Sequence, residues 1–546
     1  MLDALRFGAR RLALGVADYV VTLPALRWSW TGLADDAFAG DLPDFRPSDR
    51  DAVREMMAGR YLLASKLIET GGASPFGLEV EHADWSWNLH GFSWLRHFRD
   101  VRDPGERRFA RTLVLDWIGR DGKFDRDSWA PALCAQRVLN WLRHLNLLLD
   151  GANPEQTRTI QRALGTQIQS LKVRQRLAGD PGDALFAAIA LVGAELCEQG
   201  DKTDVARYVD RLNLLLAEQL DNDGLHRSRN PKLQLNLLIE LASVRRALGA
   251  HKTEATAELS AQVERMHESL DALTLGSGEP VYFNGCGQLP HDVLIAVQAN
   301  GSTRKRKSML LDGYGILRDG DAVVVADSGL VPPTGLAGEA HSSALAFEFS
   351  HGTELILGSC GPAPSDLPDS KSLFRQGIAH SAPTIDEEDA QPVPVKGLRA
   401  GRLLQAGPLP VMTLDSPDHL LTLTTSGYAK RFGVHLERRL TLLSGGTTLV
   451  GQDRMIAAGP TQGGLLALRF HLAPGVMVRR NPGESIIRLV LPNGAVWSFL
   501  WEGADFHEED SVRQSSYVGF AKTRQLVLET EVTAAREIAW IFTLEQ

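Results

Sequence analysis

Apolar positions along this chain follow two different periods. From residue 1 to about 295 they recur at i, i+3 and i+4, as in Phe109–Ile118, Ala135–Leu149, Ile160–Leu177, Leu185–Cys197, Val205–Leu220 and Leu233–Leu248. That spacing predicts amphipathic helices. Asp150-Gly151, Gly179-Asp180-Pro181-Gly182, Asp223-Gly224 and Asn230-Pro231 punctuate them as turns. Short connections between similar helices imply antiparallel hairpins stacked side by side. After the polar, basic run Asn300–Ser308 the period shortens to two. Ala322–Ala326, Ala344–Phe349, Leu420–Thr424, Val434–Leu442, Gly464–Leu472, Val496–Leu500 and Glu537–Leu544 are examples. Many short alternating segments between Gly, Pro, Asn and Asp predict an antiparallel β-sandwich. The expected organisation is multidomain α+β: a helical domain over 1–299, a linker over 300–310 and a β-sandwich over 311–546. The stretch 358–395 holds six prolines and reads as one long irregular connection, a kind of segment that is often functional.

Composition narrows the function classes. A length of 546 residues allows ample cores. A net charge of −9 argues against nucleic acid as a partner. It also means that a polyanionic substrate would need a locally basic lining. Cys134, Cys197, Cys286 and Cys360 are far apart without CxxC spacing, so free buried thiols are expected rather than a zinc knuckle or a disulfide framework. Residues 1–25 read as an amphipathic helix better than as a secretory signal, because Asp18 interrupts the apolar run and no clean cleavage site follows. No stretch approaches the ~20 apolar residues of a membrane span.

Three clusters carry candidate chemistry. Trp85, Trp87, Asn88, His90 and Trp94 fall within ten residues. Aromatic faces can stack on sugar rings while Asn and His bond hydroxyls, or the same rings can be helix-packing core. Arg137 and Trp141, at i and i+4, share a helix face and offer the same choice between packing and carbohydrate contact. Glu339 and His341 precede the expected strand Ala344–Phe349. If that strand extends back they face one side, as an acid/base or metal pair. Arg375 and His380 follow, and the two histidines, 39 positions apart, could converge on one site. Arg229 and Asn284 are further candidates for gripping a carboxylate or lining a site, with a solvated loop and a turn as the plain alternatives.

Read together, these motifs resemble the heparinase II/III family of polysaccharide lyases. Trp85 through Trp94, Trp129-x-Pro131 to Asn140-Trp141, Asp223-Gly224-Leu225-His226 to Pro231, Gly313-Tyr314 to Arg318, Glu339-x-His341, Ala379-His380-Ser381 and Arg469–Leu472 fall in family order. The resemblance implies an N-terminal incomplete (α/α) toroid followed by a C-terminal antiparallel β-sandwich, with the site in a cleft between them. It also implies β-elimination on a uronic-acid-containing polysaccharide, and therefore an acidic polysaccharide or oligosaccharide as partner. The family is often periplasmic or of the cell envelope, whereas the absence of a clear signal peptide points to the cytoplasm.

The departures fall at functional positions. Gly182-Asp183 stands where the family carries Asn-His, Leu233 where it carries a catalytic Tyr, Glu339 for the first His of H-x-H, and Gly358 for the Asp that completes a metal site. Three readings result. In the first, a lyase with a rearranged site uses Glu339, His341, Arg375, His380 and Tyr314 (with Tyr282 as substitute), while Trp87, Asn88, His90, Arg137, Asp183, Arg229 and Asn284 hold substrate. A divalent metal such as zinc would sit on His341 and His380. In the second, the catalytic apparatus has decayed and a polysaccharide-binding or assembly protein remains. In the third, Asp183 and Glu339 form a carboxylate dyad that hydrolyses glycosides.

Overall fold

The computed structural model describes residues 2–31, 38–39, 42–199, 204–251, 253–301, 307–364, 367–480, 485–515 and 519–545. The chain divides into two compact units that interleave in sequence. Residues 1–220, 235–264 and 290–301 form the helical unit, and 221–234, 265–289 and 302–546 form the β unit. The expected single boundary near 299 therefore differs from the observed grouping, in which two segments of the helical stretch belong with the sheets.

The helical unit owes its regular starts to proline. Pro104, Pro131, Pro154 and Pro181 each occupy the first turn of a helix, where the missing N–H would be unsatisfied anyway. Asp103, Asn153 and Asp180 cap three of these helices through side-chain oxygens. Pro131–Arg143 packs against Pro181–Cys197, which packs in turn against Val205–Gln219. Pro181–Cys197 is apolar almost all round and almost entirely buried, as an inner helix must be. The expected helix Ala135–Leu149 is broken: it ends at Arg143 and restarts at Leu145. His144 leaves helical geometry there and sets its ring 3.3 Å from the buried Asp44 carboxylate. A short hairpin, Arg60–Leu63 with Lys66–Glu69, is a β element within the helical stretch. Among the described residues no helix is long and apolar enough to cross a membrane, and all four cysteines are buried and free.

The β unit contains two antiparallel sheets. One begins as a meander of Met309–Leu311, Tyr314–Asp319, Ala322–Asp327, Ala346–His351 and Glu354–Gly358. It continues through Leu465–Leu472, Gly519–Glu531 and Asp505–Ser515. The other runs Val411–Asp415, Leu420–Thr425, Val434–Leu443, Thr448–Ala457, Glu537–Leu544, Val496–Glu502, Ile487–Val490 and Met477–Arg480. Their inner faces share one core, in which Phe347 stacks on Trp540 at 5.4 Å and Phe470 meets Phe499 at 5.5 Å. Alternation explains the layering: Val434, Leu436, Leu440 and Leu442 point inward and their neighbours outward. Arg438 is the polar exception. It is fully buried, paired with Asp453 at 2.7 Å, and donates to the backbone oxygens of Leu345 and Ser381. A helical toroid with a β-sandwich is thus the architecture.

Candidate functional site

In the β unit the nominated residues converge on a buried polar network. Asp327 ends the strand Ala322–Asp327 and has no solvent exposure. It accepts hydrogen bonds from Arg229 Nη2 (2.7 Å), the Gly329 N–H (2.8 Å), Ser343 Oγ (2.8 Å) and Asn284 Nδ2 (3.2 Å). Asn284 Nδ2 also donates to the Tyr314 hydroxyl (2.7 Å), which donates to the Arg229 backbone oxygen (2.6 Å). Asn284 Oδ1 accepts the His341 N–H at 3.2 Å. Arg229 lies 4.2 Å over the Tyr314 ring and donates to the Asp312 and Leu330 carbonyls. Arg229 and Asn284 both hold positive φ, 60° and 53°. Non-glycine residues occupy that region at a cost, and only where the surroundings fix them. Gly313 permits the arrangement, since a Cβ there would meet the Arg229 guanidinium at 2.9 Å.

His341 and His380 do meet. Nδ1 of the first lies 3.1 Å from Nε2 of the second, and both rings are buried. Burial, then the neighbouring His380, hold His341 well below the ordinary imidazole range. Burial lowers His380 to about 3. Both rings are therefore neutral near pH 7, one donating to the other. Phe283 flanks His380 at 6.1 Å.

Glu339 does not join them. The strand begins only at Ala346, so Glu339 and His341 lie on a loop and do not share a face. His341 is buried, whereas Glu339 is exposed and paired with Lys371 at 2.9 Å. Arg375 is likewise committed. Its guanidinium donates to the backbone oxygens of Ala340 (2.9 and 2.8 Å), Gly401 (2.9 Å) and Ala337 (3.4 Å), which ties down the loop that carries His341. Tyr314 is fully buried, and its phenol is pushed up by burial. Tyr282, the suggested substitute, donates to Gln288 at 2.8 Å and is pushed up by burial in the same way.

In the helical unit, Trp85, Trp94, Trp117, Trp129 and Trp141 are core. Trp87 alone in its cluster stays 39% exposed, its indole donating to Gln136 at 2.6 Å. Asn88 donates to the Asp84 backbone oxygen and accepts from Ser93. His90 accepts from Trp117, and burial and then Arg137 lower it to about 4. Arg137 is fully buried over the Trp117 ring at 4.2 Å. It donates to the His90 and Ser128 carbonyls and to Gln167. Asp183 is half-buried at the start of Pro181–Cys197. Burial and then Asp180 raise it to about 7. It belongs to the helical unit and Glu339 to the β unit.

Three participants were not visible in the sequence. Asp327 and Ser343 complete the β network, and Gln167 completes the Arg137 site. The turn Asp327-Ser328-Gly329 after an apolar strand was the available signal for the first.

Residues 301–541 match the family described as heparinase II/III-like, C-terminal. That C-terminal region belongs to the heparinase II/III-like family. Solved structures agree on the fold. The chain is similar to heparinase III, with a TM-score of 0.68, 12% identity, and 87% of this chain and 80% of that one covered. It is also similar to a mutant of the heparan sulfate lyase HepC from Pedobacter heparinus, with a TM-score of 0.60, 15% identity and 96% and 88% covered. A relative in Caulobacter vibrioides, the FtsZ-localized protein C, is 26% identical over 529 residues, covering 91% of this chain and 89% of the relative.

Proposed function

We propose that this chain uses a polysaccharide-lyase scaffold for binding and assembly rather than elimination, and that it localises with FtsZ. The observation that carries the first half is the engagement of the nominated catalytic groups. β-Elimination needs a base that reaches the proton next to the uronate carboxylate, and donors that neutralise that carboxylate. Here Tyr314, His341, His380 and Arg375 are buried and bonded to the protein's own groups, and Glu339 is held by Lys371. The second half is supported by likeness along nearly the whole length of the FtsZ-localized relative. Glycan contact, if retained from the family, would fall on the half-exposed Trp87 indole.

The test has two arms. The purified chain is incubated with heparan sulfate, hyaluronan and alginate while the absorbance of unsaturated ends is followed. A fluorescent fusion is imaged alongside labelled FtsZ. The expected result is co-localisation without a rise in absorbance. A catalytic rise in absorbance would restore the rearranged-lyase reading. Hydrolysis keeps one supporting observation, the Asp183 carboxyl raised to about 7, which suits a general acid. New reducing ends without the absorbance, abolished by Asp183→Asn, would establish it.

A further inference from the structure

The family resemblance implies a divalent metal on His341 and His380, with a carboxylate at position 358 as third ligand. The residues present do not fit one. Gly358 ends the strand Glu354–Gly358, and a Cβ built on it would meet Arg513 Nη1 at 2.2 Å and Cζ at 3.0 Å. The space into which a side chain at 358 would project is thus filled by a guanidinium. Arg513, on the long strand Asp505–Ser515, is buried and fixed from three directions. It donates to the Ser359 carbonyl at 2.7 Å and lies 3.8 Å over the Tyr282 ring. Its Nη2 is 3.9 Å from the fully buried Glu348 carboxylate. The strand end that this guanidinium covers is tied to the segment carrying His380, because Ser381, next in sequence, donates its hydroxyl to the Gly358 carbonyl at 2.8 Å.

The two imidazoles cannot complete a zinc site by themselves. His341 Nδ1 and His380 Nε2 stand 3.1 Å apart, a separation that suits a hydrogen bond between them. A bound zinc would need both lone pairs and further ligands at ~2.0–2.3 Å. The nearby His471 cannot supply one. It faces the Ile378 carbonyl through Nε2 and Ser511 through Nδ1. Among the described residues no three His, Cys, Asp or Glu side chains stand together as a metal cluster.

We propose that Arg513 is the resident cation of this site, occupying with its guanidinium the place of the third ligand and balanced by Glu348, so that His341 and His380 form a metal-free hydrogen-bonded pair. The proposal rests on the family assignment and not on the absence of elimination chemistry; a metal-free chain that proves to be a lyase leaves it intact.

The test uses the full chain, loaded with excess zinc chloride, dialysed and assayed for zinc by atomic emission, with melting followed with and without EDTA. Zinc well below one per chain and a melting temperature indifferent to EDTA are expected, since a ligand that binds only the folded state would raise it. Stoichiometric zinc that disappears in His380→Asn overturns the proposal. Zinc that His380→Asn still retains lies elsewhere and leaves it standing. The double variant Gly358→Asp with Arg513→Ser should gain one zinc per chain and become EDTA-sensitive. A folded double variant that takes up none overturns the claim that Arg513 excludes the metal. Should the double variant not fold, the unmodified chain decides alone.

Discussion

Arg137 in the helical unit and Arg229 in the β unit are both fully buried guanidiniums, and the structure accommodates them in opposite ways. Arg137 has no carboxylate partner among the described residues. Aromatic faces and backbone carbonyls hold it, and burial lowers it to about 10. Arg229 sits on a buried carboxylate, Asp327, which also gathers Asn284, Ser343 and the Gly329 N–H. The helical unit thus turns its tryptophan-rich cluster into packing, whereas the β unit turns its buried polar residues into a closed network. A site closed by packing retains an aromatic edge at its surface, here Trp87. In a site closed by a network, removing one member strands the others.

The largest expected effect follows from that stranding. Asp327→Ala leaves Arg229 buried without a counter-charge and removes the acceptor of four hydrogen bonds. Breaking a buried pair from one side costs about 3–5 kcal/mol, to be read as a lowered urea midpoint of the full chain. A loss under about 1 kcal/mol, the range of an exposed pair, would mean that water already reaches the network. Arg137→Met is the counterpart in the helical unit. It keeps the bulk over Trp117 and strands no charge, but it bares the His90 and Ser128 carbonyls. A loss of about 1–3 kcal/mol is expected. If it equalled that of Asp327→Ala, the contrast between the two units would collapse.

Legibility divides along the same line. Periodicity reveals elements, so the helices, the strands and the inward-facing set Val434, Leu436, Leu440 and Leu442 were readable in advance. The break at His144 was not, because a buried ring reaching Asp44, 100 positions earlier, leaves no mark on local spacing. The hairpin Arg60–Glu69 is too short to show a period. At the site, the meeting of His341 with His380 was legible as a pair of family positions. The separation of Glu339 from His341 was not. It depends on a loop path that includes Leu345 at a φ of 62°, which alternation cannot anticipate. Asp327 is a single acid at the end of an apolar strand, and nothing in its neighbourhood announces Arg229 as its partner.

Acid sharpens the comparison at smaller amplitude. In the β unit, His226, His380 and His471 are lowered by burial to about 4, 3 and 4. Their folded values lie below the unfolded value of about 6.5. The unfolded chain therefore binds these protons first. Their contribution to stability is complete above pH about 6.5 and is lost as pH falls from there toward the folded values. Each such group tilts stability by at most about 1.4 kcal/mol per pH unit in that window. His380→Asn should flatten the fall in melting temperature between pH 6.5 and 5, and an unchanged slope would mean that the imidazole pair is not neutral when folded. Asp183 in the helical unit has the opposite sign. Its folded value of about 7 lies above the ordinary 3.8, so its contribution is lost as pH rises through 7. Asp183→Asn should raise the melting temperature at pH 8 and leave it nearly unchanged at pH 4.

The smallest expected effect bears most on function. Glu339 stands where the resemblance places the first His of H-x-H, yet it is exposed and paired with Lys371. An exposed ion pair is worth at most about 1 kcal/mol, so Glu339→Gln should melt with the unmodified chain. A lyase that had recruited Glu339 as its acid or base would lose its turnover in this variant while its stability stayed put. A binding and assembly protein would keep its location with FtsZ and show no absorbance before or after the change. The same substitution therefore separates the two histories of position 339. If turnover exists and vanishes, the loop carrying Glu339 must close onto substrate, and the network anchored on Asp327 is the frame for a working site. If nothing changes, the carboxylate is a surface group and the frame holds only itself.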